Sequence, residues 1–185
     1  MTELVAVAGP LEMYWAEVGT AFPAIGTAPG TGWTEIGTSG PRNFTEDLVT
    51  VSMNQTIETF RGGDTTPLKA FRTEEDLVVT VTMADISLAQ IRLALNLNAV
   101  NTGTGEDDIS LVRGVDVATL ALLVRGVGKS PEFDGANMQF ELHKVYEGAS
   151  QEMQFAKGGP AGVALEFHAL KDDAGNVATL RAATA

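Results

Sequence analysis

The 185-residue chain contains no cysteine, only two histidines, and half as many basic side chains as acidic ones, 12 against 24. The missing thiol removes thiolate zinc sites, iron–sulfur clusters, cysteine nucleophiles and disulfide frameworks. His143 and His168 are the whole imidazole supply. A formal net charge of −12 speaks against a grip on nucleic acid, because such binding relies on clustered Lys and Arg displacing counterions from phosphate. No run of about 20 apolar residues occurs, and no basic stretch leads into an apolar run at the N-terminus. The chain is therefore read as soluble, without membrane association and without a cleaved secretion signal.

Aromatic residues make up only 6% of the chain, whereas 20 glycines punctuate short alternating apolar runs. That pattern predicts a mainly β protein, an antiparallel β-sandwich or barrel. At this length one domain, residues 1–185, can bury its own core without disulfides or a structural metal. Strands are expected over Leu11 to Val18, Trp33 to Ile36, Leu48 to Glu58, Leu77 to Met83, Val117 to Arg125, Met138 to Val145, Gln151 to Ala156, Val163 to Leu170 and Val177 to Arg181. The clearest is the third, where Val49, Val51, Met53 and Ile57 alternate with Thr50, Ser52, Asn54, Thr56 and Glu58. It makes a strand-loop-strand unit over about 48–83, with a long loop from Phe60 to Thr73. Loops of that length are usually functional or mobile.

One flanking helix is predicted over about 86–97. Ser87 and Gln90 have the spacing of a capping box, and Leu88, Ile91 and Leu95 recur at helical spacing. Asn98 to Asp108 reads as an exposed acidic loop, and Gly19 to Gly40 as turns rich in Gly, Thr and Pro.

Catalytic furniture is sparse. Gly103-Thr104-Gly105 lacks the Lys-Ser/Thr of a phosphate loop. Glu106, Asp107 and Asp108 lack the ligand spacing of a Ca²⁺ loop and read as a solvated charge run, as do Asp172, Asp173 and Asn176. His143 shares a strand face with Gln139 and Glu141, and His168 with Glu166. Neighbouring strands could combine them into a metal site, while the plainer expectation is two solvent-facing histidines. No Gly-x-Ser-x-Gly elbow is present and neither histidine has a general-base motif. The expectation is no enzyme, with no catalytic, cofactor or metal residues assigned. Tyr14, Trp15 and Trp33 could form a carbohydrate platform, but aromatic anchors in a core are the commoner outcome.

Several segments, taken in order, carry a resemblance. Gly32-Trp33-Thr34-Glu35-Ile36-Gly37-Thr38 is followed by Phe44-Thr45-Glu46-Asp47, a long alternating strand, a Gly-rich loop bearing arginine, and a second strand. Thr73-Glu74-Glu75-Asp76-Leu77-Val78-Val79-Thr80-Val81 then passes into Asp85 to Leu95. Over about residues 5–97 this order resembles the major tail tube proteins of long-tailed, siphophage-like bacteriophages.

The resemblance implies a structural virion protein that polymerises as stacked hexameric rings, forming a β-lined channel for DNA delivery. It implies self-association, contact with tape-measure and other tail proteins, and residence in the virion tail after assembly in the host cytoplasm. DNA would pass without specific binding. The polar face of Thr50, Ser52, Asn54, Thr56 and Glu58, with Thr80 and Thr82, becomes the candidate lumen side. The opposite face would bury Val49, Val51, Met53, Leu77, Val79 and Val81 under the helix. In the long loop, Phe60, Arg61, Pro67, Leu68, Lys69, Phe71 and Arg72 mix aromatic and cationic character suited to a subunit interface. The rival readings are a non-enzymatic β-sandwich binding or adhesion module, and the tube of a type VI-like secretion machine.

Overall fold

A computed structural model describes residues 11–37, 49–63, 65–84, 87–150 and 162–184. The expected strand at Gln151 to Ala156, the Phe44 to Asp47 segment, Leu48 and Asp85 lie outside the described residues. In chain order the elements are β1 (Glu12–Ala16), β2 (Thr34–Glu35), β3 (Thr50–Phe60), β4 (Lys69–Met83), α1 (Leu88–Ala94), β5 (Val100–Thr102), β6 (Asp107–Ile109), β7 (Thr119–Gly126), β8 (Met138–Glu147), β9 (Val163–Ala169) and β10 (Ala178–Ala182).

One antiparallel sheet runs in the order β2-β1-β7-β8-β9-β4-β3, and β10 also pairs with β8. The two last-made strands share one edge of β8. β10 takes its Met138–Leu142 half and β9 its Val145–Glu147 end. β9 then pairs along its other side with Val78 to Met83 of β4. The sheet curls, so that Val79, Val81 and Met83 of β4, with Val163, Leu165 and Phe167 of β9, share a core with Met13, Leu120, Leu122, Val124, Leu142 and Val145. Leu93 and Ala94 of α1 join the same core. The result is the mainly β, sandwich-like fold with one flanking helix that alternation predicts. Each fully buried aliphatic side chain there contributes about 1.5–3 kcal/mol.

β7 is buried along nearly its whole length because both of its faces are covered. Its even-numbered side chains enter the main core. Ala121 and Leu123 pack on the other side with Ala16 and Trp33, against Tyr14 and Phe22. The Gly-, Thr- and Pro-rich stretch after β1 is thus a cover for the outer face of the sheet. Trp33 Nε1 donates to the Ala21 carbonyl (3.1 Å), Gln139 Nε2 to Pro23 (2.8 Å) and Arg125 Nη1 to Thr27 (2.8 Å), pinning it down.

Four expectations need correcting. The helix covers Leu88–Ala94 rather than about 86–97, because Asn96 and Leu97 turn through the left-handed region at φ 58° and 59°. Ser87 does occupy the N-cap position, but Gln90 forms no capping box. Its Oε1 accepts from the Gly37 amide (3.0 Å) and its Nε2 donates to the Glu35 carbonyl (3.4 Å), fastening the helix to the end of β2. The segment Asn98 to Asp108 is not all loop, since β5 and β6 form a small hairpin whose turn needs Gly105 at φ +93°. The loop after Phe60 is shorter than expected, because β4 begins at Lys69 and not at Leu77.

Candidate assembly surface

β3 and β4 are paired from Thr50–Thr80 out to Phe60–Lys69, but only Val78 to Met83 of β4 continue into β9. The outer part of the hairpin is therefore a two-stranded arm leaving the body. Both its faces are exposed from Met53 to Phe60 and from Lys69 to Glu75. An isolated two-stranded ribbon is marginal in water, and local polar contacts brace this one. Thr56 Oγ1 donates to Glu74 (3.2 Å), Arg72 Nε donates to Gln55 Oε1 (2.9 Å), and Arg72 Nη1 lies 3.6 Å from Glu75. A register shift between Thr56 and Ile57 leaves Thr73 as an extra residue, which raises the local twist.

All seven interface candidates of the hairpin loop lie at the arm's end, and all are exposed in the single chain: Phe60, Arg61, Pro67, Leu68, Lys69, Phe71 and Arg72. The turn is closed by the Leu68 amide donating to the Phe60 carbonyl (2.8 Å) and by Arg61 Nη1 donating to the Thr65 carbonyl. Lys69 Nζ sits 4.9 Å from the centre of the Phe71 ring. Lys69, Phe71 and Arg72 belong to β4 rather than to a loop, so the chain presents them in fixed register.

Directly opposed residues of an antiparallel pair share a face. By that rule the polar face of β3, from Thr50 through Ser52, Asn54 and Thr56, lies with Thr80, Val78, Asp76 and Glu74 of β4. Glu58 continues the same alternation beyond the register shift, opposite Phe71. β9 extends the face by a third strand, setting Ala164 opposite Thr82, Glu166 opposite Thr80 and His168 opposite Val78. The structure thus brings all seven candidate lumen residues onto one surface. It adds Glu74, Asp76 and Glu166, which sequence reasoning missed because their pairing partners were not visible in it.

The opposite face is buried only near the body. Val79 and Val81 are in the core, and Val49, Val51 and Leu77 pack against it, but Met53 is 81% exposed because the arm has already left the sheet. Beside this departure point lies a groove of about 500 Å³ lined by Val51, Met53, Leu77, Phe140, Val177 and Leu180.

The histidines do not combine into a metal site. His143 Nδ1 lies 3.6 Å from Asp172, and its ring edge meets Phe22. Both of its predicted face-mates are buried rather than solvated, Gln139 beneath the cover segment and Glu141 against Gln139 and Arg181. His168 Nδ1 is 3.3 Å from Asp76 and Nε2 is 2.9 Å from Glu166, with Tyr146 stacked on the ring. Neither histidine is simply solvent-facing, since each is half-buried against a carboxylate and an aromatic ring. Asp172, the carboxylate beside His143, has its carboxyl held below the usual range by hydrogen bonds from the Asn176 side chain and amide. Among the described residues, no group of three or more such side chains is arranged to hold a metal ion.

Fold and surface together define an antiparallel β protein with a two-stranded arm whose outer part pairs with no other described strand. No model of a known protein family matches the chain, and no curated protein matches it.

Proposed function

We propose that the chain is a structural tube protein, self-assembling into stacked hexameric rings that form a phage tail tube and a channel for DNA. The observation that carries this reading is β3. It is an eleven-residue strand at the end of the sheet, with one charged side chain, Glu58, and no proline or lysine. Proteins that stay monomeric blunt such edges with lysine, proline or very short strands, because an open edge is a template for pairing. Lateral pairing of β3 with a neighbouring subunit satisfies that edge and extends the polar face into a continuous wall.

The chemistry of the wall suits a passage rather than a grip. Hydroxyls of Thr50, Ser52, Thr56, Thr80 and Thr82 share the wall with the carboxylates of Glu58, Glu74 and Asp76, which lie toward its outer end. Duplex DNA carries one negative charge per roughly 1.7 Å of axis, so such a wall repels phosphate and lets the duplex slide. Tape-measure and other tail proteins are the further partners this reading entails, in the virion tail. Negative-stain electron microscopy of the purified protein tests it. Rings or tubes with a central hole are expected, and a protein that remains monomeric at all concentrations overturns it.

The apolar groove beside Met53 and Leu180 favours a second reading, a non-enzymatic binding module. Under that reading the protein stays monomeric, and Leu180→Asp abolishes the fluorescence of a hydrophobic dye bound in the groove.

A further inference from the structure

Residues 106–117 display an apolar surface bordered by carboxylates. Leu111, Val112, Val115 and Val117 are all exposed, Val115 to 97%. The segment has no regular secondary structure beyond Ile109, yet two side chains just after the helix hold it from beneath. Asn96 Nδ2 donates to the carbonyls of Arg113 (2.6 Å) and Asp116 (2.7 Å), while its Oδ1 accepts from the Ala118 amide (2.6 Å). Asn98 Nδ2 donates to Ser110 (2.7 Å) and Val112 (2.9 Å). The backbone that places Asn96 there adopts left-handed conformations at two successive non-glycine residues. Such conformations persist only where surrounding contacts over-determine them. This is a built platform facing water.

Its charge is one-sided. Glu106, Asp107, Asp108 and Asp116 border it. Arg113, the one cation in this stretch, donates from Nη1 to the Ala149 carbonyl (3.1 Å) and lies 4.0 Å from Glu147.

We propose that this platform is the seat for the arm tip of a second copy of the chain. The inference rests on the reading of the arm as an assembly element and names the surface that receives it. The tip is the platform's chemical complement. Phe60, Leu68 and Phe71 are exposed apolar side chains there, and residues 60–72 hold three cations to one carboxylate in a chain whose net charge is −12. Tip and platform are both solvent-exposed within one chain, so each is free to meet its counterpart on another copy. A contact between two different patches of identical subunits is heterologous, and it propagates into a ring or a stack rather than ending at a dimer. Preorganisation by Asn96 and Asn98 lowers the ordering cost of docking. The opposed charges set the register and make association fall with salt.

Because the chain contains no cysteine, single introduced thiols report the contact directly. An oxidised mixture of L68C and V115C proteins is expected to yield a mixed disulfide, identified by mass spectrometry. A mixture of V115C with D173C should not. Independently, the double variant V112D/V115D should retain the wild-type circular dichroism spectrum and raise the concentration needed for assembly at least tenfold. Rings or tubes that form without the Leu68–Val115 crosslink, or that are indifferent to V112D/V115D, overturn the platform contact and leave the assembly reading standing. Protein that is monomeric at every concentration, with no mixed disulfide, overturns both.

Discussion

Arg181 on β10 places its Nε 3.0 Å from the carboxylate of Glu141 on β8, a side chain only 1% exposed. Gln139 Nε2 donates to the same carboxylate at 2.6 Å. The guanidinium is itself largely in water, so the pair is a buried anion reached by a surface cation. Removing one partner of a buried pair costs about 3–5 kcal/mol when the remaining charge stays dry, and exposure of Arg181 reduces this. Arg181→Ala should cost about 2 kcal/mol in urea unfolding. Adding Glu141→Gln to that variant should restore part of the loss, because no unpaired anion remains.

Asn96 combines a left-handed backbone with three side-chain hydrogen bonds. Each bond is worth about 1 kcal/mol net, and the conformation disfavours alanine by about 1 kcal/mol. Asn96→Ala should therefore destabilise by about 3–4 kcal/mol. Asn96→Gly should recover only the backbone share, about 1 kcal/mol. Thermal unfolding of the two variants separates the contributions.

The alkaline limb of stability should report Tyr14. Partial burial first, and then the Glu12 carboxylate that accepts its hydroxyl proton at 3.1 Å, push its pKa from the ordinary 10.0 up to about 12. A raised folded value means that the stability contribution is complete below pH 10 and is lost as pH rises through about 12. Tyr14→Phe should flatten that part of the curve. Spectrophotometric titration of phenolate in the two proteins checks the assignment.

The acid limb carries the opposite sign. The Asp172 carboxyl titrates below its ordinary 3.8, chiefly through the Asn176 side-chain hydrogen bond. Its contribution is present above 3.8 and is lost as pH falls through the lower folded value. Asn176→Ala should bring the Asp172 titration, followed by carboxyl NMR, back toward the ordinary value.

Charges placed on the open edge strand test the assembly reading without disturbing the core. Asn54 and Thr59 are exposed in the single chain and lie opposite Asp76 and Ala70, so Asn54→Lys with Thr59→Lys should leave the unfolding curve within about 0.5 kcal/mol of wild type. Size-exclusion chromatography should find this variant monomeric where the wild type is assembled. Amide exchange over residues 60–73 should slow on assembly of the wild type, and equal protection in monomer and assembled protein would count against an interface there.

Legibility differed between local pattern and long-range pairing. The β3 alternation was plain because the strand keeps period two for eleven residues. What the pattern did not contain was the pairing of β9 with β4, which brings Glu166 and His168 onto the same surface across more than 80 residues of chain. Met53 was placed with the buried side because it follows the apolar alternation, yet that alternation continues past the point where the sheet stops covering it. The loop Phe60 to Thr73 was drawn too long, since the apolar residues between Lys69 and Asp76, Ala70 and Phe71, are adjacent in sequence and leave no amphipathic period. That lack of a period marks an arm exposed on both sides. Asn96 gave no motif at all, because its role depends on backbone carbonyls and an amide 17–22 residues onward.

β9 joins β8 to β4, and so joins the two halves of the sandwich. During synthesis, residues 69–83 leave the ribosome some 80 residues before the strand that fixes their inner end to the rest of the sheet. Folding of the sheet therefore waits for β9 to emerge, and long-range pairing of this kind is intrinsically slow. A nascent chain that has not yet made β9 lacks the pairing that anchors the inner end of the arm.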